Sequence, residues 1–162
     1  MSEAREQVGR RIVVGVDGSE ESQAALRWAA GEAELHGAEL EAVYAWEPPL
    51  RLPLVSAPAN PLIGSAQVDT RVLARRAEET LEAALDQVFG EQRPGYVTPV
   101  VLEGPAAAVL LDQSLHADLL AVGSRGHGGF KGLLLGSVTE QCVRHARCSV
   151  VVVRPQGSAA AR

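Results

Sequence analysis

Short apolar, β-branched runs alternate with segments of helical period along this chain, and that alternation leaves little choice of fold. Arg11-Ile12-Val13-Val14-Gly15-Val16 is the first such run, ended by Asp17-Gly18-Ser19. Ser19 suits a helix N-cap, and Glu20 and Glu21 fall in the first turn, where the helix dipole favours negative charge. Ala25, Leu26, Ala29, Ala30 and Ala33 then share one face, and Gly37 stands where a terminating glycine is expected. Leu40 to Trp46, Tyr96 to Leu102, Ala117 to Val122 and Ser149 to Val153 read as four more strands. Pro99 lacks the amide that a central strand would need, which places the third strand at a sheet edge. Leu73, Ala77, Leu81, Ala84, Leu85 and Val88 step by three and four, predicting a helix over 66–90. Pro105 suits the first turn of a short helix, and a last helix runs through Val138 to Val143. Five strands alternating with four helices give an α/β fold: a five-stranded parallel sheet with helices on both faces.

Bulk properties narrow the function. The 162 residues suit one domain, expected over 9–155 between tails at 1–8 and 156–162, the latter disordered. A net charge of −5 argues against nucleic acid as the main partner. No apolar run approaches a membrane span, and Met1-Ser2-Glu3-Ala4-Arg5-Glu6 has no apolar core of a secretory signal, so a cytoplasmic protein is expected. Cys142 and Cys148 are too few for a disulfide framework or a zinc site and read as small apolar residues near the last strand. Residues 48–65, with Pro48, Pro49, Pro53, Pro58, Pro61 and Gly64, form a long flexible loop, either a lid or partner surface or a tolerated insertion.

The chemistry concentrates in Gly123-Ser124-Arg125-Gly126, followed after nine residues by Gly136-Ser137. This stretch lies between the fourth strand and the last helix. A glycine-rich loop there lets bare amides approach an anion while the helix dipole favours negative charge, so it can cradle phosphate. Open parallel sheets bind ligands beyond the strand carboxyl ends, where strand order reverses. If the first and fourth strands are neighbours, Asp17 and the Gly123 loop face one another. Neither G-x-x-x-x-G-K-[ST] nor G-x-G-x-x-G is present. Ser137 also has the S-x-x-E spacing to Glu140 of a capping box. Asp17 has a competing role in capping the first helix.

These residues carry a resemblance. Val13-Val14-Gly15-Val16-Asp17-Gly18-Ser19, Ala117 to Gly126, Leu135-Gly136-Ser137-Val138-Thr139 and Cys148 to Val153 together resemble the universal stress proteins, in their ATP-binding subgroup, over roughly residues 8 to 155. The G-x2-G-x9-G-[ST] pattern is complete. The resemblance implies a Rossmann-like sheet of the adenine nucleotide alpha hydrolase type with strand order 3-2-1-4-5. It implies that Gly123, Gly126, Gly136 and Ser137 close on ribose and phosphates, with Ser124, Arg125, Gly129 and Val138 beside them. Gly15 and Ala45 would line the adenine pocket through their backbones. Asp17 would meet ribose, adenine or a magnesium ion bound to the phosphates, with no direct protein ligand to the metal. Arg125, His127 and Lys131 are candidate partners for phosphate charge, Lys131 foremost.

The implied function is an ATP-binding, stress-related regulatory module, with magnesium, and not a dedicated enzyme, since no general base stands opposite the expected phosphates. Cyclic AMP sensing, slow ATP hydrolysis and a protein-interaction role without nucleotide are the alternatives. The four consecutive valines Val150, Val151, Val152 and Val153 form an edge that pairing with a second copy would bury, and the resemblance implies such a homodimer. A separate regulatory protein partner is also possible on this reading.

Overall fold

The computed structural model describes residues 10–48, 69–127 and 134–155. Its elements run β1 (Arg11–Gly15), α1 (Glu20–His36), β2 (Glu39–Trp46), α2 (Thr70–Phe89), β3 (Val97–Glu103), α3 (Ala106–Ser114), β4 (Leu119–Gly123), α4 (Ser137–His145) and β5 (Ser149–Val153). All strand pairs are parallel and the order is β3-β2-β1-β4-β5, the order expected. β3, with Pro99, lies at one edge, and β5 lies at the other. The expected tails 1–8 and 156–162, and the expected flexible loop 48–65 apart from Pro48, lie outside the described residues.

Side chains alternate across the sheet because the strand period is two. Ile12, Val14, Leu40, Ala42 and Ala121 face the layer of α1 and α2, where Leu26, Leu81 and Leu85 are fully buried. Val13, Val43, Leu120 and Val122 face α3 and α4, with Leu110 and Cys142. Each such large aliphatic side chain stabilises the fold by about 1.5–3 kcal/mol relative to exposure. Both cysteines are free thiols packed in this second layer. Burial pushes the Cys142 thiol up to about 11 and raises that of Cys148. Both therefore stay protonated at neutral pH, consistent with small apolar packing residues.

Local signals were followed closely at α1. Ser19 is its N-cap, accepting from the Ser22 amide at 3.2 Å, and Gly37 closes it in the left-handed region at φ 62°. α2 is capped by Asp69 and begins at Thr70, later than the expected 66. Pro105 is the N-cap of α3, one place before its first turn. Gly123, expected in the loop, is the last residue of β4 and pairs with Val153. β4 therefore runs one residue further toward the loop than the apolar run suggested.

Candidate functional site

β1 and β4 stay paired only as far as Val14 and Ala121. Beyond that point each turns to its outer neighbour: Val16 donates its amide to Val43 at 2.9 Å, and Gly123 pairs with Val153. The strands separate at the place where strand order reverses, and a cavity of about 440 Å³ opens between their carboxyl ends.

Its floor is apolar. Gly15, Val16, Val43, Ala45 and Val122 come from the strands, and Ala106 and Leu110 come from α3. Gly15 admits α3: a Cβ there would lie 2.9 Å from the Leu110 Cδ1. A flat aromatic group fits such a lining, since burial of apolar surface needs no directional partner.

The opposite end is polar, built from Asp17, Arg125, Gly126, His127, Gly136 and Ser137. Gly136 is the N-cap of α4 and supplies no side-chain cap, so Ser137 is the first helical residue. The capping-box reading of Ser137 and Glu140 is therefore corrected: Gly136 is the N-cap, and Glu140 lies one place beyond the position a box requires. The amides of Ser137, Val138 and Thr139 have no intrahelical acceptor, as in any first helical turn. The Thr139 hydroxyl donates to the Gly123 carbonyl at 2.7 Å and ties this turn to the end of β4.

Asp17 joins the two sides of the crevice. Its Oδ1 accepts from the Ser19 amide at 2.9 Å and from the Ser19 hydroxyl, while Oδ2 accepts from the His127 amide at 3.1 Å. Burial acts to raise its pKa. The hydrogen bonds from Ser19, Ser22 and His127 stabilise the anion more strongly, and the carboxyl is held below its ordinary value. Asp17 does not itself cap α1; it orients Ser19, which does. Gly18 completes the turn at φ 82°, a conformation that favours glycine.

The loop glycines serve different neighbours. A Cβ on Gly126 would lie 2.3 Å from the Asp17 Oδ2, and one on Gly136 would lie 3.3 Å from the Arg125 Cα. A Cβ on Gly123 would lie 2.8 Å from the carbonyl carbon of Glu21, so this glycine admits the first turn of α1. Some loop amides are already engaged: Ser124 donates to Val153, Gly136 to Ser124 and His127 to Asp17. Among the described residues, the amides of Arg125, Gly126, Ser137 and Val138 meet no protein acceptor.

Of the residues expected at the site, Gly15, Asp17, Ala45, Gly123, Arg125, Gly126, Gly136, Ser137 and Val138 line this one cavity. Ser124 is buried and does not line it. Gly129 and Lys131 lie outside the described residues. Sequence reasoning missed Val16, Ser22, Val43, Ala106, Leu110, Val122, Leu135 and Thr139 as lining residues. The position of Thr139, two residues after Ser137 in the same helical turn, was the available signal for one of them. Among the described residues no group of three His, Cys, Asp or Glu could hold a metal, and no helix is long and apolar enough to cross a membrane.

Comparison with known proteins agrees with this architecture. A universal stress protein of Mycolicibacterium smegmatis is 36% identical over 149 residues, covering 92% of this chain and 49% of its own length. The chain thus spans about half the length of the curated relatives it matches. Among solved structures, the universal stress protein UspA from Lactobacillus plantarum superposes with a TM-score of 0.67 at 26% identity, covering 90% of this chain and 97% of that one. A universal stress protein in complex with cAMP gives a TM-score of 0.54 at 25% identity, covering 89% and 95%. The sequence profile of the Universal stress protein family matches residues 9–154, and with the sheet order and relatives in agreement, the chain belongs to that family.

Proposed function

We propose that this domain is an adenine-nucleotide-binding regulatory module and that ATP is its ligand. The observation that carries the reading is a single cavity with an apolar floor at one end and the uncapped start of α4 at the other. The base would rest on Gly15, Val43, Ala45 and Leu110. The phosphates would accept from the amides of Arg125, Gly126, Ser137 and Val138, which meet no acceptor among the described residues, a helix N-terminus being a ready anion site. Magnesium would arrive on the phosphates and meet Asp17 through water, since the described residues offer no metal cage of their own.

Asp17 is a poor general base, because its pKa is depressed and both its oxygens already accept hydrogen bonds. Binding that alters the loop, with at most slow hydrolysis, is therefore the favoured role. A homodimer through the β5 edge, Val150 to Val153, is the assembly that fits an edge strand of this composition. A second reading, cyclic AMP as the ligand, is supported by the cAMP complex of a related protein.

Calorimetric titration of ATP, ADP, AMP and cyclic AMP with magnesium, on wild type and Ser137→Asp, tests both. The substitution puts a carboxylate where phosphate would sit, yet suits a helix first turn, so stability holds. The expected outcome is wild-type ATP binding that weakens by roughly 100-fold in the variant, the order expected for a lost amide cradle with added charge repulsion. Preference for cyclic AMP transfers the conclusion to the second reading. Nucleotide binding by neither protein overturns both.

A further inference from the structure

Gly123 and Arg125 sit on either side of a contact that the nucleotide reading leaves unused. Because Gly123 has no side chain, the first turn of α1 lies directly on the end of β4, with the Glu21 backbone where a Cβ would otherwise be. Two residues later, Arg125 places Nη2 at 3.5 Å from the Glu21 Oε1. Arg125 lines the cavity, whereas Glu21 does not. Both side chains are largely covered, at 34% and 20% exposure. At 3.5 Å the pair is longer than a charge-assisted hydrogen bond of about 2.8 Å, so it is held by Coulomb attraction and is readily exchanged.

We propose that Glu21 sets how much ligand charge the cavity accepts, by competing with the phosphates for Arg125. The inference rests on the nucleotide reading and deepens it into a specificity determinant. Among the described residues, Asp17 and Arg125 line the polar end of the cavity, and the Arg125 guanidinium meets the Glu21 carboxylate. His127 contributes its amide to Asp17. A ligand with a single negative charge is served by the amides of Ser137 and Val138 and leaves the ion pair intact. A polyphosphate concentrates several charges there and is accommodated by drawing Arg125 away from Glu21. The ion pair therefore opposes polyphosphates selectively, and its rupture reports phosphate number to the first turn of α1.

The test is magnesium-free titration of ATP and cyclic AMP into wild type, Glu21→Gln, Arg125→Gln and the double variant, with thermal midpoints taken on all four. Glu21→Gln is expected to tighten ATP by about fivefold, the scale of a partly exposed ion pair, and cyclic AMP by less than about twofold. In the Arg125→Gln background the effect of Glu21→Gln on ATP is expected to vanish. Equal tightening in that background overturns the proposal, because Glu21 would then act as a diffuse charge without Arg125. An unchanged Glu21→Gln affinity, on a wild type that binds nucleotide, overturns it too and leaves the nucleotide reading standing. If none of the four proteins binds either nucleotide, the nucleotide reading falls and the proposal with it.

Discussion

Two helices start at the same cavity, and they start differently. α1 is closed at its N-terminus: the Ser19 hydroxyl accepts from Ser22, Asp17 holds Ser19, and Glu20 and Glu21 fill the first turn with negative charge. α4 has glycine as its N-cap, no side-chain cap, and a single first-turn acid, Glu140, drawn aside by Arg144 at 2.6 Å. Both ends carry the same partial positive charge. Only the second leaves it unanswered. On the proposed reading, a helix N-terminus becomes an anion site through what the chain withholds there, and the first turn of α1 shows the state in which nothing is withheld.

The comparison can be broken most forcefully at Gly123. Gly123→Ala drives a methyl into the Glu21 backbone and is expected to cost about 1–3 kcal/mol, as overpacking does. Urea unfolding measures it; a loss below about 0.5 kcal/mol, the level of an ordinary surface change, would mean that α1 does not depend on this approach. Ser19→Ala opens the closed helix. It removes the cap and one donor to Asp17, and about 1 kcal/mol of stability is expected to go with them. Calorimetry on the same variant should show ATP affinity changing far less than in Ser137→Asp, since on the proposed reading Ser19 makes no contact with the phosphates.

The smallest effect is in pH. The folded pKa of Asp17 lies below its unfolded value, so its contribution is fully present above about pH 4 and is lost as pH falls through the folded pKa. The stability difference between wild type and Asp17→Asn should therefore be constant from neutral pH down to about pH 5 and shrink in stronger acid. A difference that grows on acidification would reverse the sign assigned to the Ser19 and His127 hydrogen bonds.

What was legible in the sequence was local. Ser19 and Gly37 act through neighbours within one helical turn, so composition and spacing locate the ends of α1 to the residue. Pro99 marks an edge because its missing amide is tolerated in an edge strand and not inside a central one. The cavity followed in outline, because alternation dictates parallel strands and parallel strands place the site. What was not legible depended on approach between distant segments. Gly123 reads as a loop glycine until α1 is seen resting on it. Ala106 and Leu110 are ordinary helix residues until α3 covers the end of β1. The tie from Asp17 to His127 links residues 110 positions apart, and nothing in either neighbourhood announces it. Ser137 was misplaced by one residue because Gly and Ser both suit an N-cap, and the choice between them was made by Gly136 folding back onto Ser124.

The parting of β1 and β4 after Val14 and Ala121 has a consequence for how such a protein can change. The hollow is made by main-chain hydrogen bonds choosing outer partners, Val43 on one side and Val153 on the other. Side chains decorate it without creating it. Substitution can therefore trade one guest for another, or crowd every guest out, while the framework stays in register. A change of guest then starts from the lining and leaves the main chain that shapes the hollow untouched.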